Sequence, residues 1–378
     1  MPCGSSLHSA GAQLAPDTMA LAVDAPLSVP ERRTDPLRVV RAWLFTLAGL
    51  VILMAAVGAA TRLTGSGLSI TEWKPVTGAI PPLSEAAWLV EFEKYRQIPQ
   101  YKLLNQGMTL SEFKEIYAWE WGHRQLGRLI GLAFFAPLAW FWLRGALTMR
   151  LAATLLGIGA LGGLQAAVGW IMVASGLEPG MTAVAPIKLT LHLLIASAIL
   201  VCLVWVASGL TLGAPRPEAG TAARRGSRVL LGLVLVQIAA GGLVAGSKAG
   251  LTYNTWPLMD GELIPAAAKL FVVSPWIENF VDNVTLVQFN HRLLAYAVVA
   301  FAIWHAWRLA HDGASAAARR ARALTGLTLA QGALGITTLL LVVPLWAGVA
   351  HQILALLILA MAAVHARLSG RTGHPAVA

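Results

Sequence analysis

The chain has 378 residues, of which 57% are apolar and only 12% charged, with a mean hydropathy of +0.67 and a formal charge of +10. That balance is too oily for a soluble globule of this length and places the chain among integral membrane proteins. The surplus of positive charge sits in short links between apolar stretches rather than on one broad face, so it leaves no nucleic-acid footprint.

Residues 1–37 are rich in Ala, Pro, Ser and Asp and lack a charged-then-apolar signal pattern, so they read as a disordered cytoplasmic tail. Beyond them, apolar windows of about 20 residues predict membrane spans at 41–61, 119–143, 151–174, 187–210, 227–246, 286–308, 323–343 and 346–367. With the N-terminus inside, the inner segments hold sixteen Lys/Arg against six Asp/Glu, while the remaining twelve of each sign cancel on the outer side. This positive-inside bias sets both termini in the cytoplasm. The fold expected is an all-α integral membrane protein of eight transmembrane helices, arranged as two pseudo-symmetric four-helix bundles. The halves are 38–210 and 227–368, with a cytoplasmic linker at 211–226 and a cytoplasmic tail at 369–378. Cys3 lies in the first tail and Cys202 in the fourth span, so no disulfide is expected.

The outer connections carry most of the extra sequence. Residues 62–118 hold Trp88, Phe92, Tyr95 and Phe113 on a polar background, enough for short helices of their own, and 247–285 is the second long connection. The two begin alike, with Thr64-Gly65-Ser66-Gly67-Leu68 answered by Gly246-Ser247 and Gly250-Leu251, and both contain a Trp-Pro or Trp-x-Pro step before a closing Ile-Pro. The echo continues downstream. Glu120-Trp121-Gly122-His123-Arg124 answers Gln288-Phe289-Asn290-His291-Arg292, Gln165 answers Gln331, and His192 answers His351. A duplication of this kind implies two units built alike.

Four matched histidines in so apolar a chain point to two metal or heme sites, because an ionisable residue within the membrane is costly. Each of His123, His192, His291 and His351 falls within about two turns of the outer start of an even-numbered span, which gives them a common depth. Facing helices of one half can then offer an imidazole from each side of a plane, the way a bis-histidine heme is held. A bare zinc or copper ion asks for three or four ligands, and each half offers two histidines. Arg124, Arg128 and Arg292 suit heme propionates, although lipid phosphate competes for Arg128. Glycines such as Gly169 and Gly241-Gly242 allow either close helix approach or room for a flat ligand.

The halves differ at one chemical position. Glu120 stands three residues before His123, whereas the neutral Gln288 stands three before His291. A carboxylate beside a desolvated heme can accept or relay protons and an amide cannot, so chemistry is assigned to the first half and a resident heme to the second. The competing reading pairs Glu120 with Arg124 one turn on. His305 and His365 follow His291 and His351 by fourteen residues each, a spacing that would suit another heme about 21 Å deeper. Their surroundings look more like interface anchors, and the first half offers only Pro137 and Val206 at the same offsets.

These motifs resemble the heme A synthases, oxidase-assembly enzymes of bacteria and mitochondria. The likeness covers about 38–368 and rests on Thr61-Arg62-Leu63-Thr64-Gly65-Ser66-Gly67-Leu68-Ser69, the segment 120–124, Asn254-Thr255-Trp256-Pro257-Leu258-Met259-Asp260-Gly261 and Asn290-His291-Arg292. It implies oxidation of a ring methyl of heme O to a formyl group, giving heme A. It further implies that His291 and His351 hold heme b, that His123 and His192 line the substrate site, and that Glu120 is the functional carboxylate. Some bacterial members carry a cysteine pair in the outer loops and this chain has none, so it looks like the alphaproteobacterial and mitochondrial branch. The implied setting is the bacterial inner membrane with both heme sites towards the outer face. A heme O synthase, oxidase assembly factors, membrane lipid and an electron donor or acceptor are the implied partners. A diheme cytochrome b oxidising quinol and a heme transporter or chaperone are the rival readings.

Overall fold

The computed structural model describes residues 36–210, 220–313 and 315–369. The tail expected at 1–37 up to residue 35, the linker at 211–219 and residues 370–378 lie outside the described residues, as do Cys3, His8 and His374. What is described is helical, with one isolated bridge between Met259 and Glu262. In chain order the helices are α1 Pro36–Leu63, α2 Glu85–Arg96, α3 Pro99–Leu104, α4 Leu110–Leu143, α5 Met149–Gly176 and α6 Pro186–Gly209, then α7 Thr221–Gly246, α8 Ala267–Leu270, α9 Asn279–Asp282, α10 Val284–His311, α11 Ser315–Leu340 and α12 Leu345–Ser369. Eight of them, α1, α4 to α7 and α10 to α12, are long and apolar enough to cross a membrane.

In lipid each backbone polar group must be satisfied within its own segment, which is why the spanning elements are helices. Their association cannot rest on water-driven burial and depends on close packing. α1, α6, α7 and α12 touch one another at the centre, with α4 and α5 flanking on one side and α10 and α11 on the other. Fully buried leucines of these four central helices fill that centre, among them Leu44, Leu47, Leu200, Leu230, Leu356 and Leu359. At the α6–α7 crossing a methyl added to Gly246 would lie 2.6 Å from the Pro186 Cα, so only glycine permits that approach.

Three helices, α4, α7 and α11, depart most from the spans expected. α4 starts at Leu110 instead of 119, because Thr109 and Glu112 form a capping box, with the Thr109 N–H donating to Glu112 Oε2 at 2.7 Å and the Glu112 N–H to Thr109 Oγ1 at 3.3 Å. A hydropathy window sees only the apolar part of a helix, whereas this one continues into the long connection. There Phe113 and Tyr117 pack with Phe92 and Tyr95 of α2. α7 begins at Thr221, within the expected linker, so Arg224 and Arg225 are helical. α11 covers 315–340 rather than 323–343. Val342 and Val343 turn the chain with φ of 59° and 57°, a left-handed conformation that strains β-branched residues. Asn254 helps to hold that turn by donating from Nδ2 to the Leu339 carbonyl at 2.9 Å.

Candidate functional site: two histidine pairs under a clamped loop

Each of the four histidines lies opposite a glycine on the neighbouring helix. A methyl added to Gly58 of α1 would stand 2.9 Å from His123 Cε1 of α4, and one at Gly169 of α5 would stand 2.8 Å from His192 Cε1 of α6. The same relation joins Gly241 of α7 to His291 of α10 at 3.2 Å and Gly335 of α11 to His351 of α12 at 2.8 Å. The glycines therefore make room for the rings. His123 and His192 lie on helices of the first half, and His291 and His351 on helices of the second. His192, His291 and His351 lie within two turns of a helix start, as expected. His123 is thirteen residues past Leu110 because α4 starts early, which changes its distance from the helix start and not its level in the bundle.

Glutamine amides reach three of the rings. Gln165 Nε2 donates to His192 Nε2 at 3.2 Å, Gln331 Nε2 to His351 Nε2 at 3.3 Å, and Gln237 Nε2 to His291 Nδ1 at 3.1 Å. The sequence reading missed Gln237 and gave no role to the other two. The signal was present as Gln-x-x-x-Gly, since residues four apart share a helix face and each glutamine precedes its glycine by that step. Buried Nδ1 atoms of His123, His192 and His351 have no hydrogen bond among the described residues. Glycine cradles and uncommitted imidazole nitrogens, two histidines per site, fit an axially ligated heme. Among the described residues no three or more His, Cys, Asp or Glu side chains gather as a bare ion would require.

Glu120 is buried and fully engaged. Its Oε2 accepts from the Ser69 hydroxyl and from the Ile70 N–H, both at 2.8 Å. Its Oε1 accepts from Arg124 Nη2 at 2.5 Å and Nε at 3.1 Å. Arg124 also donates to the Ile70 carbonyl at 2.8 Å and the Glu72 carbonyl at 2.9 Å, so the pair clamps the connection after α1 onto α4. The counterpart is neutral: Arg292 Nη2 donates to Gln288 Oε1 at 2.8 Å and the Tyr253 carbonyl at 3.1 Å, while Gln288 Nε2 donates to the Ala249 carbonyl at 2.7 Å. Arg128 donates to the carbonyls of Pro75 and Lys74 at 2.9 and 3.0 Å. The three arginines considered for propionates thus direct donors to loop carbonyls, although the buried Arg292 Nε has no partner among the described residues.

The clamped loop carries its own ion network. Glu72 meets Lys74 at 2.5 Å and Lys94 of α2 at 2.8 Å, and Lys94 also meets Glu91 at 2.8 Å. Hydrogen bonds from Lys74 and then Lys94 hold the Glu72 carboxyl below its ordinary range. Desolvation pulls the Lys94 amine down, but its bonds to Glu72 and Glu91 outweigh that and leave it above its ordinary value. At the opposite end of the bundle His305 and His365 come together with their Nε2 atoms 3.0 Å apart. In this arrangement the two rings bond to each other.

Comparison with known proteins adds identity to this geometry. Residues 41–363 match the COX15-CtaA family, described as cytochrome oxidase assembly protein. A heme A synthase of Methylobacterium sp. (strain 4-46) is 64% identical over 93% of this chain and 98% of its own length. One of Azorhizobium caulinodans is 53% identical over 88% and 95%, and one of a Bradyrhizobium species is 50% identical over 90% and 94%.

Proposed function

Because the chain belongs to the cytochrome oxidase assembly protein family, we propose that it is a heme A synthase that oxidises a ring methyl of heme O to the formyl group of heme A. The observation that supports this best is the pairing of two alike histidine sites with unlike neighbours, a buried carboxylate beside one and an amide beside the other. Residues 38–210 form the reacting half and 227–368 the resident half, both sites facing the outer side of the inner membrane, with the termini in the cytoplasm.

In this reading His291 and His351 hold heme b, and His123 and His192 present the substrate heme O. Heme b supplies one-electron exchange when bound. Taking the methyl to the aldehyde is a four-electron oxidation that draws on an oxidant from outside the chain, and the twice-hydroxylated carbon loses water as the aldehyde forms. The protein's part is to fix the methyl and to handle protons. Glu120 is the proton acceptor, and because both oxygens are engaged it takes up a proton only by releasing Ser69, Ile70 or Arg124. Proton uptake is thereby tied to movement of the clamped loop. Gln288 holds the equivalent loop without a titrating group, which suits a site that stores an electron and does not react.

Heme O is apolar enough to arrive through the bilayer, which favours delivery from a heme O synthase and transfer of product to oxidase assembly factors. The deciding experiment expresses the chain with a source of heme O and examines the extracted pigment by mass and absorbance. A formyl heme is expected. Unmodified heme O alone would remove this reading in favour of a carrier or transporter.

A further inference from the structure

At the end of the bundle where His305 meets His365, α7 and α10 enclose a cavity of about 290 Å³. The repeat shows why there is room for it. Gly58 and Gly241 face equivalent histidines, α1 and α7 end at Leu63 and Gly246, and both pairs are 183 positions apart. By the same step Gly226, on the cavity wall, stands where the first half has Trp43. The Trp43 indole packs on Phe134 and Phe141 and donates to the Ala133 carbonyl at 2.8 Å. Arg225 likewise stands where the first half has Ala42. On α10, at the 168-residue step that joins His123 to His291, His305 and Arg308 stand for Pro137 and Trp140. Where one half places two indoles, the other places a hollow, two cations and an imidazole.

The lining is of two kinds. Val229, Phe301 and Leu309 are apolar, and Trp304, 45% exposed, sets an indole where such rings sit at a membrane–water boundary. The polar part suits an anion. Arg225 makes no ion pair with a described residue. Arg308 lies over the Trp304 ring and meets the one carboxylate of the lining, Asp312, only at 3.9 Å. Ala222 and Ala223 belong to the first turn of α7, whose N–H groups have no partner within the helix and no side-chain cap among the described residues. His305 is 2% exposed, and its Nδ1 lies 2.5 Å from the place of a methyl on Gly226. With the shared proton on His365 Nε2, His305 carries its own on Nδ1, a buried donor without an acceptor among the described residues.

We propose that this cavity binds the phosphate headgroup of an anionic phospholipid, held by Arg225, Arg308 and the start of α7, with the acyl chains along the apolar face of α7. Basic hollows between spanning helices select such headgroups. A free phosphate ion would meet the cations but would leave the apolar wall bare. That wall continues from Val229 to Val236, which are two turns apart on one face of α7 and both about half exposed. The site lies apart from the four histidines and does not depend on the reaction proposed for them.

The test takes full-length protein in an uncharged detergent, adds dioleoyl-phosphatidylglycerol or dioleoyl-phosphatidylcholine in rising amounts, and counts bound lipid by native mass spectrometry. Wild type should retain one phosphatidylglycerol about 10-fold more tightly than phosphatidylcholine. Arg225→Gln combined with Arg308→Gln should weaken that binding by about 30-fold, or about 5-fold for each arginine, and leave phosphatidylcholine unchanged. Arg319→Gln combined with Arg322→Gln removes two exposed cations of α11 at the same end but outside the cavity, and should behave as wild type. Gly226→Trp, which restores the indole of the other half, should abolish retention, and the arginine pairs decide the matter should that variant not fold. Equal retention of the two lipids by wild type, or equal losses from the two arginine pairs, would overturn the proposal. Displacement of phosphatidylglycerol by millimolar inorganic phosphate would overturn it too, by marking a site for the free ion.

Discussion

Glu120 and Gln288 show how one atom changes a site. Both stand one turn before an arginine and both bind the loop above them, but the carboxylate only accepts whereas the amide donates to the Ala249 carbonyl. Glu120→Gln turns an amide N–H towards either Arg124 or the Ile70 N–H, leaving a donor facing a donor. The expected cost is about 1–3 kcal/mol for the unsatisfied buried group, together with loss of heme O conversion. The second-half heme spectrum should persist. Normal conversion by this variant, measured from the extracted pigment, would deny Glu120 its proton role. The four histidines and this acid-for-amide difference were readable from the repeat, because residue type and helical spacing alone place them. The aims of Arg124, Arg128 and Arg292 were not, since their acceptors are backbone carbonyls whose positions depend on how the loops fold. Gln237 went unread because a lone glutamine in an apolar span gives no signal until its spacing to Gly241 is matched with the other copies.

At the scale of the element, the connection from 64 to 109 is a small folded lid whose aromatic cluster sits on the first turns of α4. Its ion network gives it a definite pH response. The Glu72 carboxyl is lowered in the folded lid, so its contribution is present above the ordinary value of 4.5 and is lost as pH falls through the lowered one. Lys94 is raised, so its contribution is present below 10.5 and is lost only as pH rises through the raised value. The network is therefore constant across the neutral range and fails first in acid. Limited proteolysis within 72–98 should accelerate between pH 5 and pH 3, and more so at low salt where exposed pairs matter most. Protease resistance that stays flat over that interval would show that aromatic packing alone holds the lid. The lid's helices were foreseeable from Trp88, Phe92, Tyr95 and Phe113, but the union of lid and membrane span in one helix was not. The capping box at Thr109 and Glu112 is a local signal that a hydropathy window averages away.

For the whole molecule the number of spans was legible and their arrangement was not. A side chain facing lipid and one facing a neighbouring helix are both apolar, so the sequence does not mark α1, α6, α7 and α12 as the centre. One polar contact does tie the halves. Arg62, in the last turn of α1, donates from Nε to the Ala245 carbonyl at the end of α7 at 3.0 Å, and Nη2 reaches the same oxygen. A cation there completes a helix C-terminus belonging to the other half. Arg62→Met should lower the thermal midpoint in detergent, by the equivalent of about 1.5–3 kcal/mol for a charge-assisted bond. It should also make both hemes leave together on heating. Loss of the first-half heme alone would show that the contact serves one half only.

The early start of α4 has a mechanical side. From Leu110 to His123 the helix is unbroken, and its one internal proline, Pro137, comes fourteen residues after the histidine. The residues that anchor the lid, the Glu120–Arg124 clamp and His123 therefore ride on a single stiff rod with its flexure point below them. Any tilt that lifts the lid also swings the imidazole aside. Under the function proposed above, opening of this connection and release of the bound heme would then be one movement.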